Sequence, residues 1–447
     1  MTTTRNPGTN RPQRPPRPGR TPANAPARDS ASPTVVVGVR KLFAAETSNY
    51  FLLLGTTVFL VAFGLVMVLS SSSVESHLES DDFFASFARQ GLYALIGVPF
   101  MLVASRMPSS FWKRWAWAAI FVGLGLQLLV FTGLGYEYGG NRNWINFGSF
   151  SAQPSELLKL ALIVWMAFIL TSKEGLLDDW KHVLIPIGPV AGLAIGLVLI
   201  GNDLGTAVIM LAIVLGGMFF AGVRLKFIGA TVAILAFFGL IFAFASTSRS
   251  DRISAWINGC TPAQYETFCW QPTHGTWALA SGGIFGVGLG NSKAKWSWLP
   301  EADNDYIFAI IGEELGLIGA VVVLVLFIVL AFSFIRIIRS NNDPFARIVT
   351  AGIGIWIVGQ AFINIAVVLG VLPVLGVPLP LISAGGSALI AGLLAIGVVL
   401  SFAREPARAV ADDGPVAMSP AERSRLAASQ RRGPQNTRTN SQNRPAR

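Results

Sequence analysis

Runs of uncharged apolar residues long enough to cross a bilayer recur along this chain of 447 residues, and they limit its possible folds more than any other feature. With 52% hydrophobic and only 13% charged residues, the composition excludes an ordinary soluble globular protein. The pattern predicts an all-α polytopic membrane protein of about ten transmembrane helices. The spans fall near residues 51–70, 88–105, 115–134, 156–171, 183–201, 204–221, 228–246, 306–335, 346–370 and 385–403. Arg40 and Lys41, Arg106 with Lys113 and Arg114, Lys173 with Lys181, Arg224 with Lys226, Arg336 with Arg339, and Arg404 share one side if both termini are cytoplasmic. That topology leaves loops 71–87, 135–155 and 247–305 outside, the last a long extracellular loop between spans 7 and 8.

The net charge of +10 suggests a nucleic-acid partner only until it is located. Residues 1–41 hold eight Lys/Arg against one acid, and residues 404–447 hold nine Arg against four acids, so the body between them is about neutral. Basic, Pro-rich ends of this kind bury no core; residues 1–44 and 405–447 are expected to be disordered cytoplasmic tails beside an anionic leaflet, with no nucleic-acid partner. The first 34 residues contain no apolar core of a signal peptide, so none is expected to be cleaved. Residues 45–404 form the membrane domain.

Polar groups inside such a body need a reason, because hydrocarbon penalises them. LPEADNDYIFAIIGEELG (299–316) places Glu301, Asp303, Asp305, Glu313 and Glu314 at the mouth of a long apolar run. In QPSELLK (153–159), Glu156 and Lys159 share a helical face, either as a packing pair or as the lining of a cavity. Asp203 in GNDLGT (201–206) suits a helix cap or the same cavity, and Gln360 with Asn364 suits interhelical hydrogen bonding. Arg142, beside Trp144, is either a solvated interfacial residue or a fork for phosphate. The Gly-rich SGGIFGVGLGNS (281–292) lacks the strand–turn–helix context of a phosphate cradle, so close backbone packing, folded back at the membrane surface, is expected instead. Cys260 and Cys269 lie in one outer loop, where a disulfide is expected; two free thiols are the alternative. The three histidines show no metal-ligand spacing, and no serine–histidine nucleophile motif occurs.

With these residues in view, the chain resembles the SEDS family, the FtsW/RodA/SpoVE group of bacterial cell-wall synthases. The resemblance rests on QPSELLKLAL (153–162), NDLGTAVI (202–209), GGIFGVGLGNS (282–292), LPEADNDYIFAIIGEELG (299–316) and NIAVVLGVLPVLGVPLPLISAGGSALI (364–390), in the family's order. The LPEA and GEELG spellings are similar to the division member, FtsW, and the basic tails to its actinobacterial forms. The resemblance implies a lipid II polymerase that releases undecaprenyl pyrophosphate and works with a class B penicillin-binding protein, an FtsI-like transpeptidase, among divisome proteins at the septal plasma membrane. It also implies that Asp305 is the essential acid, while Asp303 stands where the family is usually not acidic. Asn143 replaces an arginine common before Trp144, with Arg142 as a substitute; the Cys-bearing insert 258–272 lies outside the common pattern.

On that reading Asp305 is the general base that activates a sugar hydroxyl, and the leaving pyrophosphate needs cations. Arg142, Lys159 and Arg252 are the candidates, with a divalent cation (Mg or Mn) able to share the task and no resident metal or cofactor required. Glu301, Glu156 and Asp203 are expected to line the cavity or support its walls. Alternatives from other classes are a lipid II transporter or flippase, a non-catalytic division scaffold, and a RodA-type elongation polymerase.

Overall fold

The computed structural model describes residues 48–412, apart from residues 139, 147, 149, 150, 245, 246 and 297. Most of both predicted tails, residues 1–47 and 413–447, lies outside the described residues. The first helices are α1 (Ser48–Ser80), α2 (Ala85–Ala104) and α3 (Ser109–Leu129), followed by the strands β1 (Gly135–Tyr138), β2 (Asn141–Asn146) and β3 (Ser151–Ala152). Then come α4 (Pro154–Ser172), α5 (Trp180–Ile200), α6 (Leu204–Phe220), α7 (Leu225–Phe244), α8 (Thr247–Asn258) and α9 (Trp270–Gly282). The chain continues through α10 (Ile307–Ser340), α11 (Pro344–Gly354), a π-helical turn (Ile355–Gly359), α12 (Gln360–Val368) and α13 (Gly386–Asp412).

Every predicted span falls on a helix, and among the described residues seven helical segments are long and apolar enough to cross a membrane. Of the other three predicted spans, α3 carries Lys113 and Arg114 near its start, α6 is 17 residues long, and α7 is apolar along its 20 residues save for Lys226. Large apolar side chains such as Leu193, Phe237, Ile328 and Phe332 face outward, as expected where hydrocarbon rather than water is the solvent.

Three predicted features change. Residues 71–80, expected in an outer loop, continue α1, and α13 runs on to Asp412 into the segment expected to be tail. The loop 135–155 holds a three-stranded antiparallel sheet in the order β1-β2-β3, so the protein is not strictly all-α. The long loop 247–305 folds into α8, α9 and turns, with Cys260 joined to Cys269 in a disulfide as expected.

Helix α4 runs through the middle of the fold. Pro154 occupies its first turn, where no N–H partner is lost, and most of its circumference is buried against α3, α5, α6, α11 and α13.

Helix α10 is broken at Gly316, whose φ of 67° and ψ of −167° lie in a region that only glycine visits readily. The Gly-rich stretch takes up the backbone groups exposed there. Val287 and Gly288 N–H donate to the Glu313 and Glu314 carbonyls (3.0 Å each), while Leu317 and Ile318 N–H donate to Gly283 and Ile284 (2.9 and 3.3 Å). A Cβ on Gly316 would stand 2.4 Å from the Gly286 nitrogen, which is inside contact distance. Close backbone packing is therefore what these glycines provide. Gly316→Ala is expected to cost on the order of 1–3 kcal/mol from backbone strain alone. Thermal unfolding of the detergent-solubilised variant checks this; an unchanged midpoint would contradict the strained break.

Candidate functional site

A polar cavity of about 200 Å³ lies where the β-sheet, α4, α6, α8, the turn before α10 and the segment before α13 meet. Asp305 borders it from residues 299–306, which form turns rather than an extension of α10. Three consecutive carbonyls of this turn are each tied to a different donor. Asp303 O accepts from Ala384 N (2.9 Å), Asn304 O from Ser383 Oγ (2.7 Å), and Asp305 O from Asn364 Nδ2 (2.7 Å). Asn364 also donates to Val377 O (2.8 Å), so one amide joins α12, the following segment and the turn. Glu301 opens the turn at φ 55°, in the left-handed region, and accepts from Asn304 Nδ2 (3.1 Å).

The Asp305 backbone is thus fixed while its carboxylate accepts no hydrogen bond from a described residue. Burial is the largest influence on that carboxylate; with the negative charges of Glu301, Asp203 and Asp303 it pushes the pKa up to about 7. The neighbouring Tyr306 phenol is also pushed up, first by burial and then by Asp305. A carboxylate that is positioned, open to a cavity and poised to exchange a proton near neutrality can work as a base.

The other candidate residues separate by geometry. Asp203 caps α6 through Thr206 N (2.9 Å), and its second oxygen accepts from Asn143 and Gln153 (3.0 Å each), so it is both cap and cavity wall. Glu156 borders the cavity, whereas Lys159 lies behind it, 1% exposed, bonded to Glu156 (3.0 Å) and Gln360 (3.1 Å) and seated over Trp356. Packing pair and cavity wall are therefore both present in that motif, but the lysine is committed to its neighbours.

Arg142 is turned away from the cavity. Its guanidinium caps the end of α3 by donating to Val130 O (3.2 Å) and Thr132 O (3.0 Å), so it is neither free in solvent nor aimed at a phosphate. Asn143, the departure from the family pattern, reaches the cavity in its place. Arg252 on α8 does border the cavity, and it is the one cation among its described lining residues. Its helix is held by Trp256 Nε1 donating to Gly370 O (3.0 Å).

Asp303 does not border the cavity, although the turn geometry, not a helical twist, is what separates it from Asp305. Sequence reasoning missed the amides Gln153, Gln271 and Asn304 on the cavity wall, because isolated Asn and Gln outside the apolar spans carry no signal of their own. Among the described residues, no group of three or more His, Cys, Asp and Glu side chains is placed to hold a metal ion.

The chain as a whole is similar to known proteins. Residues 50–407 match the family profile for FtsW/RodA/SpoVE, described as cell cycle protein. The chain is 39% identical over 365 residues to the probable peptidoglycan glycosyltransferase FtsW of Mycobacterium tuberculosis, covering 81% of this chain and 69% of that protein. It is 36% identical over 363 residues to stage V sporulation protein E of Bacillus subtilis, covering 80% and 98% respectively. The fold matches that of a chain described under "Structural coordination of polymerization and crosslinking by a peptidoglycan synthase complex" (TM-score 0.65, 24% identity, 79% of this chain and 97% of that one). It also matches Thermus thermophilus RodA (TM-score 0.60, 23% identity, 82% and 99%). The chain belongs to the FtsW/RodA/SpoVE family, and it is a multi-pass membrane protein.

The raised pKa of Asp305 has a consequence for stability. Below about pH 4 the carboxyl is protonated in both folded and unfolded chains; between there and about 7 only the folded chain keeps the proton. Folding is therefore progressively penalised as pH rises through that window. Asp305→Asn, which cannot ionise, is expected to be more thermostable than the parent at pH 8, with the difference vanishing toward pH 4. Melting curves of both proteins across that range check it, and a difference independent of pH would contradict it.

Proposed function

We propose that this protein is a peptidoglycan glycosyltransferase that polymerises lipid II during cell division, with Asp305 as its general base. Its 39% identity to proteins named FtsW supports the division role over a transporter, a scaffold or an elongation polymerase. The observation that carries the catalytic assignment is the unpaired, partly desolvated Asp305 carboxylate in a polar cavity.

In this reaction a hydroxyl of the acceptor disaccharide attacks the anomeric carbon of the donor strand with inversion, and undecaprenyl pyrophosphate leaves. A hydroxyl is a weak nucleophile at neutral pH, and a base within hydrogen-bond reach contributes roughly 10²–10⁴-fold. Asp305 takes the hydroxyl proton. The tie from Asn364 to the Asp305 carbonyl, and those from Ser383 and Ala384 to the Asn304 and Asp303 carbonyls, keep Asp305 from drifting as the substrate enters. Arg252 borders the cavity where negative charge develops on the leaving pyrophosphate, a task that a divalent cation, if bound, would share. The amides of Asn143, Gln153, Gln271 and Asn304 suit a sugar ring rich in hydroxyl and acetamido groups. Ten spans with both termini in the cytoplasm put the cavity at the outer face, where lipid II is used. A class B penicillin-binding protein crosslinks the product, and the two work at the septum with other divisome proteins.

Lipid II polymerisation by purified variants with the partner present tests this reading. Asp305→Asn is expected to make no glycan polymer while inserting and binding its partner normally; Asp303→Asn, outside the cavity, is expected to keep most of the activity. Robust polymer from Asp305→Asn would overturn the assignment.

A further inference from the structure

Glu313 and Glu314 lie beyond the cavity, adjacent in sequence, both buried, in the last turn before the break in α10. Adjacent carboxylates inside a membrane body are costly, and neither borders the Asp305 cavity. Each is surrounded by donors. Both oxygens of Glu314 accept from Ser70 Oγ on α1 (2.7 and 2.6 Å), and one also accepts from Ser292 N (3.4 Å) and faces Lys295 Nζ at 3.7 Å. Lys295 Nζ donates in turn to Ser70 O (3.2 Å) and Gly290 O (2.6 Å). Glu313 accepts from Lys293 N (2.9 Å), Ala294 N (3.3 Å), Ser281 Oγ (3.3 Å) and the Ser292 hydroxyl.

The chain positions of these partners give the cluster its meaning. Lys295 stands ten residues before Asp305, and Glu314 nine after it. The bonds between 293–295 and 313–314 therefore close the base of a loop that carries Asp305 near its middle. Residues 307–315 make a half-helix about 13 Å long, and because α10 breaks at Gly316, the longer half does not hold it in line. The described residues among 293–300 have no helix or strand of their own. Nor do the carbonyl ties at the turn fix where the two arms of the loop begin.

We propose that Glu314, Lys295 and Ser70 form a clasp that positions Asp305 for the transfer reaction, tying both arms of its loop to α1. These are positioning residues: none of them touches the cavity. This inference rests on the function proposed above, and Asp305→Asn separates the two. If that variant still polymerises lipid II, the functional reading fails; if it is inactive while clasp variants behave as wild type, only the clasp fails.

The test uses Ser70→Ala, which removes one hydroxyl and no charge, Glu314→Gln, and the double variant Glu314→Gln with Lys295→Met, which leaves no lone buried charge. Each purified full-length protein is assayed with its partner for kcat, KM and the pH dependence of kcat, beside its melting temperature. A displaced base is expected to lower kcat by about tenfold to hundredfold with KM little changed. The pH midpoint should also move toward the ordinary carboxylate range, as Asp305 loses its enclosure among Glu301, Asp303, Asp203, Glu156 and Arg252. A clasp with only a structural role would lower the melting temperature and leave the midpoint in place. Wild-type kcat in folded Ser70→Ala, or a loss that tracks only the folded fraction with an unmoved midpoint, overturns the proposal. Because Ser70→Ala changes no charge, it decides the matter if the charge variants fail to fold.

Discussion

A helix that breaks inside an apolar body must find new partners for the backbone groups it frees, and the break of α10 at Gly316 is where this protein meets that demand. The Gly-rich stretch after α9 is drawn onto the break because its own N–H and C=O groups complete the missing bonds. Only residues without a Cβ allow that approach; a Cβ on Gly282 would stand 1.9 Å from Gly312 O. Once the stretch is seated, Ser292, Lys293, Ala294 and Lys295 stand beside Glu313 and Glu314, and the chain that leaves them turns toward the cavity. The location of Asp305 follows from how the break is repaired.

The carboxylates of the interior divide by their partners. Asp203, Glu156, Glu313 and Glu314 each accept hydrogen bonds that hold them in place. Asp305 accepts none from a described residue, is crowded by like charges, and has its proton affinity raised as a result. The contrast is between one carboxylate left open to the cavity and others that fix the frame around it. The same division explains why Lys159, buried and twice bonded, does not reach the cavity while Arg252 does.

Much of this was legible in the sequence. Apolar run length placed every main helix, because hydrocarbon tolerates little else, and the family motifs pointed to Asp305 and its surroundings. Four features were not legible. Residues 71–80 are polar enough to read as a loop but extend α1 as helix. The sheet at 135–152 is too short and mixed to show strand alternation. Arg142 reads as either a solvated residue or a phosphate fork, yet it donates to the Val130 and Thr132 carbonyls just past the end of α3. Lys295 carried no signal either, since its partner Glu314 lies beyond the turn that carries Asp305, further along the chain than any sequence periodicity links. Contacts set by neighbours along the chain were readable, and those set by where a broken helix docks were not.

The most direct measurement of whether Asp305 is the base is the pH dependence of single-turnover lipid II polymerisation by the protein with its partner. A base with its pKa raised to about 7 gives a rate that climbs as pH rises toward neutrality and levels off above it. A rate already at its plateau at pH 5, with folded protein throughout, would contradict a raised Asp305 as the proton acceptor.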